Sequence, residues 1–377
     1  MPTVPIELPH HRYEVAIEAG LLSRLGQQVR EVAPHGCAAL LRDAGLPAAH
    51  AAAAHEALER EGYAVTDGVF ATSERLKSLD TVRSMYELLL GDRLERRSPV
   101  VALGGGILTD TAGFAAATYL RGVPLVMVPT TLLAMVDASV GGKVGVNVPE
   151  GKNLIGAFYQ PMRVVIDPQV LTTLPTRELR CGLAECIKHA MIRDAARFEW
   201  LENNLDAVLA LEPAALAELV RWNVQIKAQV VMADEKEAGE RAHLNFGHTF
   251  AHAIEAVQGQ DDGGDVGGNA PAGGCHHGEA VALGMVAATT LAMARQMVEA
   301  PVLRRLEALL ERAGLPSAMA RPLGVKRLNE AMALDKKVAD TRIRLVLPRG
   351  IGEAGVYDDV PADAIASAWE AIGAGGE

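Results

Sequence analysis

The segment 100–161 repeats residue types that bind phosphate groups. It contains a glycine cluster, a Pro-Thr-Thr turn, an aspartate, a Gly-Gly-Lys and a Gly-Lys-Asn, at 104–106, 129–131, Asp137, 141–143 and 151–153. Backbone amides of glycine-rich loops and nearby ammonium groups are common ligands of phosphorylated molecules. Several such clusters in one short segment predict an enzyme that acts on an anionic substrate with a nucleotide bound.

A second set of residues has the types that hold a metal ion. Glu185, His248, His252 and His277 are carboxylate and imidazole donors in the second half of the chain. His248 and His252 are four residues apart, so a helix places both side chains on one face. Two imidazoles and a carboxylate leave room for substrate oxygens on zinc. A single helical histidine is more often a core or surface residue, so the predicted metal site depends on the whole set.

Basic side chains flank these candidate ligands. Lys188 follows the candidate carboxylate ligand by three residues, and Lys227 and Arg241 precede the first histidine. Cations around a metal in an acidic protein favour a substrate that carries phosphate and carboxylate groups. The alternative for Lys227, and for the charged run 335–337, is a solvated helix surface.

The glycine cluster has the sequence context of a phosphate-binding turn. An apolar run ends at Leu103, the glycines follow, and a helix is predicted from near Asp110, with its amino end towards the anion. The motif is not the GxGxxG fingerprint, and a tight turn without a ligand is the alternative. Glu74 and Lys77, at the start of the preceding predicted helix, can reach a ribose or phosphate, although alone they fit an exposed helix face better.

The elements that must position these residues alternate between strands and helices in the first half. Strands are predicted at 12–17, 37–41, 63–70, 99–103 and 124–128, with helices from 21 and at 48–61, 74–90 and 110–120. Apolar strands that alternate with helices predict a parallel sheet covered on both faces. Ligands then bind at the carboxyl ends of its strands.

Helical periodicity dominates after about residue 175. Helices are predicted at 178–194, 198–210, 213–232, 249–257, 279–299 and 303–313, with a short strand at 342–347. The Gly- and Asp-rich segment 258–274 predicts a mobile surface loop. We therefore predict an α/β domain at 1–174 and a helical domain at 175–377, because a chain of 377 residues exceeds the usual size of one core.

Composition limits the class of protein. The apolar run 280–294 is too short to span a bilayer, and the start of the chain lacks a basic segment followed by an apolar one, which indicates a cytoplasmic protein. The net charge of −11 argues against a nucleic-acid or membrane-surface binder, because both need a basic face. The four cysteines have no CxxC spacing, so reduced, mostly buried thiols are expected.

Longer motifs run through both halves in a fixed order. From Leu103 the chain reads LGGG, AGFAAATY, RG, VPTT, VDASVGGK and GKNLIGAFYQP, and the second half continues with GLAECIK, LNFGHTFAHAIEA and HGEAVA. This set resembles the 3-dehydroquinate synthase family of the shikimate pathway across nearly the whole chain.

The resemblance implies a Rossmann-like NAD domain with a parallel sheet, followed by an all-α metal-binding domain, in a homodimer. It implies conversion of a small phosphorylated sugar acid, 3-deoxy-D-arabino-heptulosonate 7-phosphate, to 3-dehydroquinate and phosphate. In that reaction NAD oxidises the C5 hydroxyl and so acidifies the neighbouring C–H. Phosphate then leaves, the ketone is reduced back, and an intramolecular aldol step closes the ring. The implied cofactors are catalytic NAD and a divalent metal, zinc or alternatively cobalt.

Residue roles follow from the resemblance at matching positions. The implied metal ligands are Glu185, His248 and His277, and the implied catalytic residues are Asp137, Lys143, Lys188 and His252. The implied substrate-binding residues are Arg121, Lys152, Asn153, Lys227, Arg241, Asn245 and one of Lys336 and Lys337. The implied cofactor-binding residues are Glu74, Lys77, Gly105, Gly106, Asp110, Thr130 and Thr131, with Asp43 as a further candidate for the adenosine ribose.

Two departures from the family pattern and several alternatives accompany this interpretation. Thr109 stands where the family usually has glycine, and His276 competes with His277, which is preferred because it directly precedes Gly-Glu-Ala-Val. Amino-dehydroquinate synthase and cyclases of the 2-deoxy-scyllo-inosose or valiolone type are alternatives within the class. Metal-dependent alcohol dehydrogenases are more distant, since they need no such lysine array. A protein that senses NAD or a sugar phosphate without turnover is the alternative from another class.

Overall fold

The computed structural model describes residues 3–237, 239–261, 274–334 and 343–375. Lys336 and Lys337 lie outside the described residues, and so does most of the segment predicted as a surface loop, from 262 to 273. The described chain forms two compact units, one from residues within 1–179 and 211–236 and the other from residues within 180–210 and 237–377. This division differs from the predicted boundary after residue 174, because a long helix, Pro213–Ala233, packs against strands of the first unit.

The first unit contains a main sheet and a separate hairpin, and the anion-binding motifs lie on or beside their strands. In the described residues they are β1 Thr3–Leu8, β2 His11–Ile17, β3 Cys37–Asp43, β4 Ala64–Phe70, β5 Val100–Gly104, β6 Leu125–Pro129, β7 Lys143–Val148, β8 Gly151–Phe158 and β9 Arg163–Ile166. The main sheet has the order β1-β2-β9-β6-β5-β3-β4, and β7 and β8 form a separate hairpin. Neighbouring strands of the main sheet are parallel except β1, which runs antiparallel to β2.

The α-helices pack against the main sheet in the first unit and against one another in the second. In chain order they are α1 Leu25–Val32, α2 Ala48–Arg60, α3 Leu79–Gly91, α4 Gly106–Thr118, α5 Thr176–Arg193, α6 Ala195–Leu209, α7 Pro213–Ala233, α8 His248–Asp261, α9 His277–Ala294, α10 Ala300–Arg312, α11 Val325–Leu334 and α12 Ala362–Ala371. Two further strands, β10 Leu345–Gly350 and β11 Glu353–Tyr357, pair as an antiparallel hairpin in the second unit.

The predicted parallel sheet is confirmed, and β5 and β6 form its centre. Every residue of these two strands is buried, as expected where helices cover both faces. The edge strand β1, the four-residue β9 and the β7–β8 hairpin were not predicted. β1 and β7 do alternate in sequence, as TVPIEL and KVGVNV, but a proline interrupts the first and a glycine the second, which weakens the strand signal. β9 has only four residues, too few for a clear period.

The predicted helix 74–90 is divided into two helices in the structure. A 3₁₀ turn occupies Glu74–Leu76, and α3 begins at Leu79. Both have a serine N-cap, since Ser73 Oγ accepts from the Leu76 amide at 3.2 Å and Ser78 Oγ accepts from the Thr81 amide at 3.3 Å. The break leaves Lys77 between two helical segments, where its side chain can turn inwards.

In the second unit α9 is the central helix. It is buried on nearly all sides, and α8, α10, α12 and β10 pack around it. Within the described residues, α9 is also the helix that is long and apolar enough to cross a membrane, but 72% of it is buried inside the protein, as in the core helix of a globular unit. The helical second half is confirmed, with the β10–β11 hairpin added near the predicted strand 342–347.

Candidate active site

The glycine cluster lies at the carboxyl end of β5, where α4 begins. Gly104 ends the strand, Gly105 is the N-cap and Gly106 is the first helical residue, four positions before the predicted helix start. A Cβ on Gly104 would lie 2.6 Å from Leu108 Cδ2, and one on Gly105 would lie 3.2 Å from Thr131 Cγ2. Gly104 and Gly105 therefore leave room for a close junction, which places the first-turn amides of α4 at the sheet edge, as an anion site requires.

Three other cofactor candidates lie at the ends of neighbouring strands. β3 and β6 flank β5, so Asp43, which ends β3, and Thr130, which follows β6, share the edge with the glycine cluster. The Asp43 carboxylate accepts hydrogen bonds from the Gly45 amide and the Thr72 hydroxyl, each at 2.8 Å. Thr131 Oγ1 accepts from the Ala134 amide at 3.2 Å. This is the position of a nucleotide at the carboxyl edge of a parallel sheet.

Lys77 is a buried cation between two other predicted site residues. Its side chain is 5% exposed, and Nζ lies 2.6 Å from Asp110 Oδ2 and 2.5 Å from Asn153 Oδ1. Burial raises the pKa of Asp110, while the nearby Lys77 opposes that rise. The structure therefore joins the turn before α3, the first turns of α4 and the β7–β8 hairpin through one ammonium group.

Asn147 belongs to the same cluster but is not among the site residues predicted from the sequence. Its Nδ2 donates to Glu74 Oε2 at 2.8 Å, and its Oδ1 accepts from the Asn153 amide at 2.9 Å. Its own amide donates to the Lys77 carbonyl at 2.7 Å. An available signal was the polar amide inside the apolar alternation KVGVNV of β7, which predicts a hydrogen-bonded partner.

The other substrate-binding and catalytic candidates discussed next lie on exposed parts of the first unit. Lys143 and Lys152 are exposed on the β7–β8 hairpin, and Asn153 has a φ of +56°, a left-handed conformation at the start of β8. Arg121 is exposed beyond the carboxyl end of α4, a helix of 13 residues, or about 20 Å. The structure therefore does not bring Arg121 to the glycine cluster within the first unit.

Asp137 and Lys227 form an ion pair. Asp137 lies in a π-helical turn, Ala134–Ala138, a rare conformation that often occurs at functional sites. Lys227 reaches it from α7, and its Nζ contacts the Asp137 carboxylate and donates to the Asp137 carbonyl at 2.6 Å. Lys227 is only 4% exposed, which contradicts the alternative of a solvated helix surface for this lysine.

In the second unit the three predicted metal ligands converge from three helices. Glu185 lies on α5, His248 begins α8 and His277 begins α9, and one donor atom of each lies within 4.8 Å of the other two. Glu185 Oε1 is 3.6 Å from His248 Nε2 and 3.9 Å from His277 Nε2. The spacing suits one ion shared by two imidazoles and a carboxylate.

Two close helix approaches produce this convergence. A Cβ on Gly278 would lie 2.4 Å from the Cys181 Cα, so α9 crosses α5 one turn before Glu185. A Cβ on Gly284 would lie 2.0 Å from the Gly247 carbonyl oxygen, and Gly247 itself has a φ of +78°. Glycine at these positions lets the starts of α8 and α9 come together. Gly278 directly follows His277, and Gly247 directly precedes His248.

The hydrogen-bonding partners of the histidines direct Nε2 towards the carboxylate. His248 Nδ1 lies 3.3 Å from the Phe246 carbonyl oxygen, and His277 Nδ1 lies 3.4 Å from Glu255 Oε1. Metal-binding histidines typically use the second ring nitrogen in this way, which fixes the tautomer and the ring orientation. Glu255 was not identified from the sequence.

The charge state of the cluster also fits a cation. Glu185 is 1% exposed, Lys188 forms an ion pair with it, and neither carboxylate oxygen accepts a hydrogen bond from the described residues. Burial, Lys188 and the neighbouring imidazoles lower the pKa of His248 well below its ordinary value. The His248 imidazole is therefore neutral near pH 7 and keeps the lone pair that a metal needs. The residues present fit a divalent ion.

Four other candidates surround this cluster or lie near it in sequence. The His252 ring is exposed and lies 5.7 Å from the His248 ring. Arg241 is 3% exposed and Asn245 is exposed, both in the 3₁₀ turn Glu240–Asn245 before α8. His276 is the N-cap residue of α9, and its amide donates to Glu279 Oε2 at 2.9 Å. The metal-type cluster of Glu185, His248 and His277 does not include His276.

The fold and the site are those of the sugar-phosphate cyclases, and the following solved structures are similar to this chain. One is 2-epi-5-epi-valiolone synthase from Streptomyces hygroscopicus subsp. jinggangensis 5008 with NAD⁺ and Zn²⁺ bound, at a TM-score of 0.86 and 29% identity, covering 97% of this chain and 98% of that one. Another is 2-deoxy-scyllo-inosose synthase with carbaglucose-6-phosphate, NAD⁺ and Co²⁺, at a TM-score of 0.86 and 25% identity, covering 98% and 99%. A probable glycerol dehydrogenase from Sinorhizobium meliloti 1021, at a TM-score of 0.66, 15% identity and 95% coverage of both chains, shares the fold.

The chain belongs to the 3-dehydroquinate synthase family. The family model of the N-terminal region matches residues 68–181, and that of the C-terminal region matches residues 182–338. The 3-dehydroquinate synthase of Microcystis aeruginosa is 45% identical over 95% of this chain and 94% of its own length. That of Symbiobacterium thermophilum is 44% identical over 97% and 99%. The resemblance stated from the sequence motifs is confirmed.

Proposed function

We propose that this protein is a 3-dehydroquinate synthase, converting 3-deoxy-D-arabino-heptulosonate 7-phosphate to 3-dehydroquinate and phosphate. The convergence of Glu185, His248 and His277 carries the proposal, because it supplies a partly buried metal-type cluster in a chain of this family. The identity of 45% to a 3-dehydroquinate synthase, against 29% to the valiolone-type cyclase, supports this activity over its nearest alternatives.

The first unit supplies the proposed NAD site. Bound NAD would supply a reversible hydride acceptor for the substrate hydroxyl. The first-turn amides of α4, freed by Gly105 and Gly106, would bind the diphosphate, and Asp43 would accept from the adenosine ribose hydroxyls. Thr130 and Thr131 would line the same edge. Lys77 compensates the Asp110 charge and, with Glu74 and Asn147, holds the β7–β8 hairpin in place.

The second unit supplies the proposed metal site. A divalent ion, zinc or alternatively cobalt, would act there as a Lewis acid that polarises the hydroxyl to be oxidised. Glu185, His248 and His277 would hold it, while Glu255 orients the His277 ring. Lys188 places a second positive charge beside the Glu185 carboxylate, so the cluster can attract a phosphate-bearing substrate.

The other residues would bind substrate or move protons. We assign substrate binding to Arg121, Lys152, Asn153, Lys227, Arg241, Asn245 and one of Lys336 and Lys337, and catalysis to Asp137, Lys143, Lys188 and His252. The exposed His252 ring, adjacent to His248, is suited to exchange protons with substrate because it is not a member of the metal-type cluster. Lys227 holds the Asp137 carboxylate in a fixed position.

A phosphate-release assay tests the proposed activity. The purified protein with NAD, zinc and the heptulosonate phosphate is expected to release one phosphate per substrate consumed, without accumulation of NADH. Parallel reactions with the amino analogue, glucose 6-phosphate and sedoheptulose 7-phosphate distinguish it from the other cyclases. Accumulation of NADH would indicate a simple dehydrogenase, and faster turnover of another substrate in the panel would replace the proposed one.

We also propose that the protein is a cytoplasmic homodimer. Its curated relatives are 3-dehydroquinate synthases, and the net charge of −11 is unsuited to anionic membranes or nucleic acid. Light scattering coupled to size-exclusion chromatography measures the oligomeric state. A mass near twice 39.9 kDa is expected, and a mass near 39.9 kDa at micromolar protein would contradict the dimer.

A further inference from the structure

A thiol, an imidazole and a carboxylate lie together at the amino end of β3, the opposite end from the glycine-cluster edge. Cys37 Sγ, in the first residue of β3, is 3.4 Å from His35 Nδ1 and 3.2 Å from Ser98 Oγ. His35 Nε2 is 3.4 Å from Glu95 Oε2. This is the arrangement of a nucleophile, a base and a group that orients the base.

Both protonation states of the His35 ring have hydrogen-bonding partners. The Cys37 amide can donate to Nδ1 at 3.3 Å when Nδ1 is unprotonated, and the Cys37 carbonyl oxygen lies at 3.3 Å to accept when Nδ1 carries a proton. In both states Nε2 lies 3.4 Å from the Glu95 carboxylate, which can orient the ring. His35 Nδ1 is therefore placed to accept the thiol proton during the reaction.

Ser98 adds a donor for the thiolate. Its side chain is buried, and its Oγ accepts from the Glu95 amide at 2.9 Å, so its own proton remains available for Cys37 Sγ or His35 Nδ1. Cys37 is partly exposed, whereas Cys181 and Cys186 are buried.

We propose that Cys37 is a thiol-modification site that reacts with low-molecular-weight disulfides, with His35 as the base and Glu95 as its positioning partner. The thiol proton moves to His35 Nδ1, and the thiolate attacks one sulfur of R–S–S–R. A new S–S bond joins Cys37 to that sulfur, the original S–S bond breaks, and the released thiolate takes the proton to leave as RSH. No further oxidant is needed, and a free thiol reverses the reaction.

Within the first unit, the site is separate from the glycine-cluster edge. Cys37 and Asp43 are at opposite ends of a strand of seven residues, about 20 Å apart. The first unit can thus carry the modification without blockage of the glycine-cluster edge.

Mass spectrometry of the full-length protein with glutathione disulfide tests the proposal. Cys275, which is also partly exposed, is the internal comparison, and the test variants are His35→Gln and Glu95→Gln. His55→Gln is the matched control. His55 Nδ1 also faces a carboxylate, Glu59 Oε2 at 3.5 Å, but within the described residues this histidine forms no hydrogen bond with a thiol. Thermal unfolding checks that each variant is folded, and Glu95, 73% exposed, tolerates substitution.

Cys37 is expected to form the mixed disulfide about tenfold faster than Cys275, because the thiolate is the reacting species. His35→Gln should slow this reaction about tenfold and Glu95→Gln about threefold. The rate for His55→Gln should stay within about twofold of the wild-type rate. A Cys37 rate no greater than that of Cys275 would overturn the proposal. So would a rate unaffected by the two test variants.

Discussion

His277 faces two carboxylates through its two ring nitrogens. Nδ1 lies 3.4 Å from Glu255 Oε1, and Nε2 lies 3.9 Å from Glu185 Oε1. The two glutamates therefore have different tasks at one imidazole: Glu255 orients the ring from α8, and Glu185 joins it as a donor in the metal-type cluster.

Glu255→Gln should weaken metal binding while it leaves the three proposed ligands in place. The neutral amide polarises the His277 ring less than the carboxylate does, so the dissociation constant for zinc should rise about tenfold. Competition with a chromogenic chelator measures this constant on the folded protein. Glu330→Gln, an exposed glutamate of α11, is the matched control and should leave the constant unchanged. Equal constants for the Glu255 variant and the wild type would contradict the orienting role.

The two histidines at the start of α8 should behave differently. His248→Ala removes a proposed ligand, so bound metal and activity should fall together, metal affinity by about a hundredfold or more. His252→Ala should retain metal and lose turnover, because His252 is outside the metal-type cluster. Elemental analysis after dialysis and steady-state rates separate the two effects. A fully active, metal-free His248→Ala protein would remove His248 from the ligand set.

Asp110 should make stability depend on pH in a defined direction. Its pKa is raised by burial, with Lys77 opposing, so the folded chain holds this proton more tightly than the unfolded chain. Its contribution to stability is complete below the unfolded pKa of about 3.9 and is lost as pH rises through the folded value. The wild-type free energy of unfolding, measured relative to Asp110→Asn, should therefore fall as the pH rises above about 4.

Denaturant unfolding at several pH values measures this difference, and Asp359→Asn provides a control of opposite sign. A hydrogen bond from Arg295 lowers the pKa of Asp359. Its contribution is present above the unfolded pKa and is lost as pH falls, so the wild-type value relative to this variant should rise with pH. A difference for Asp110→Asn that rises with pH would refute the assigned direction.

The close approach of α9 to α5 should make Gly278 intolerant of a side chain. A Cβ there would lie 2.4 Å from backbone of Cys181, so Gly278→Ala must separate the two helices and should cost about 2 kcal/mol or more. Because His277 and Glu185 lie on these helices, metal affinity should fall as well. Gly91→Ala, at the end of α3 with no atom within 4 Å of the built Cβ, is the control, with an expected change under about 1 kcal/mol. A stable Gly278→Ala variant with normal metal affinity would exclude this positioning role.

The sequence predicted the parallel sheet and the helical second half because their signals are local. β5 and β6 are continuous apolar runs, and α7 follows a single 3.6-residue period that matches its predicted bounds within one residue. The same local signals did not show that α7 packs on the first unit, since a helix of this composition can bury its apolar face against several partners. The helix break at Lys77 was not predicted, because one apolar period continues across the two serine caps.

The sequence by itself determined which side chains this protein brings to its chemistry: a glycine cluster after a buried strand, two histidines one helical turn apart, and the family to which the motifs belong. Only the tertiary structure decided that Glu185, His248 and His277 meet, that Glu255 orients one of them, and that Lys77, Asn147 and Asn153 form one cluster. The physical reason is distance along the chain. Residue type and helical period are fixed within a few neighbours, whereas these contacts depend on helix crossings and a hairpin that pack segments many residues apart.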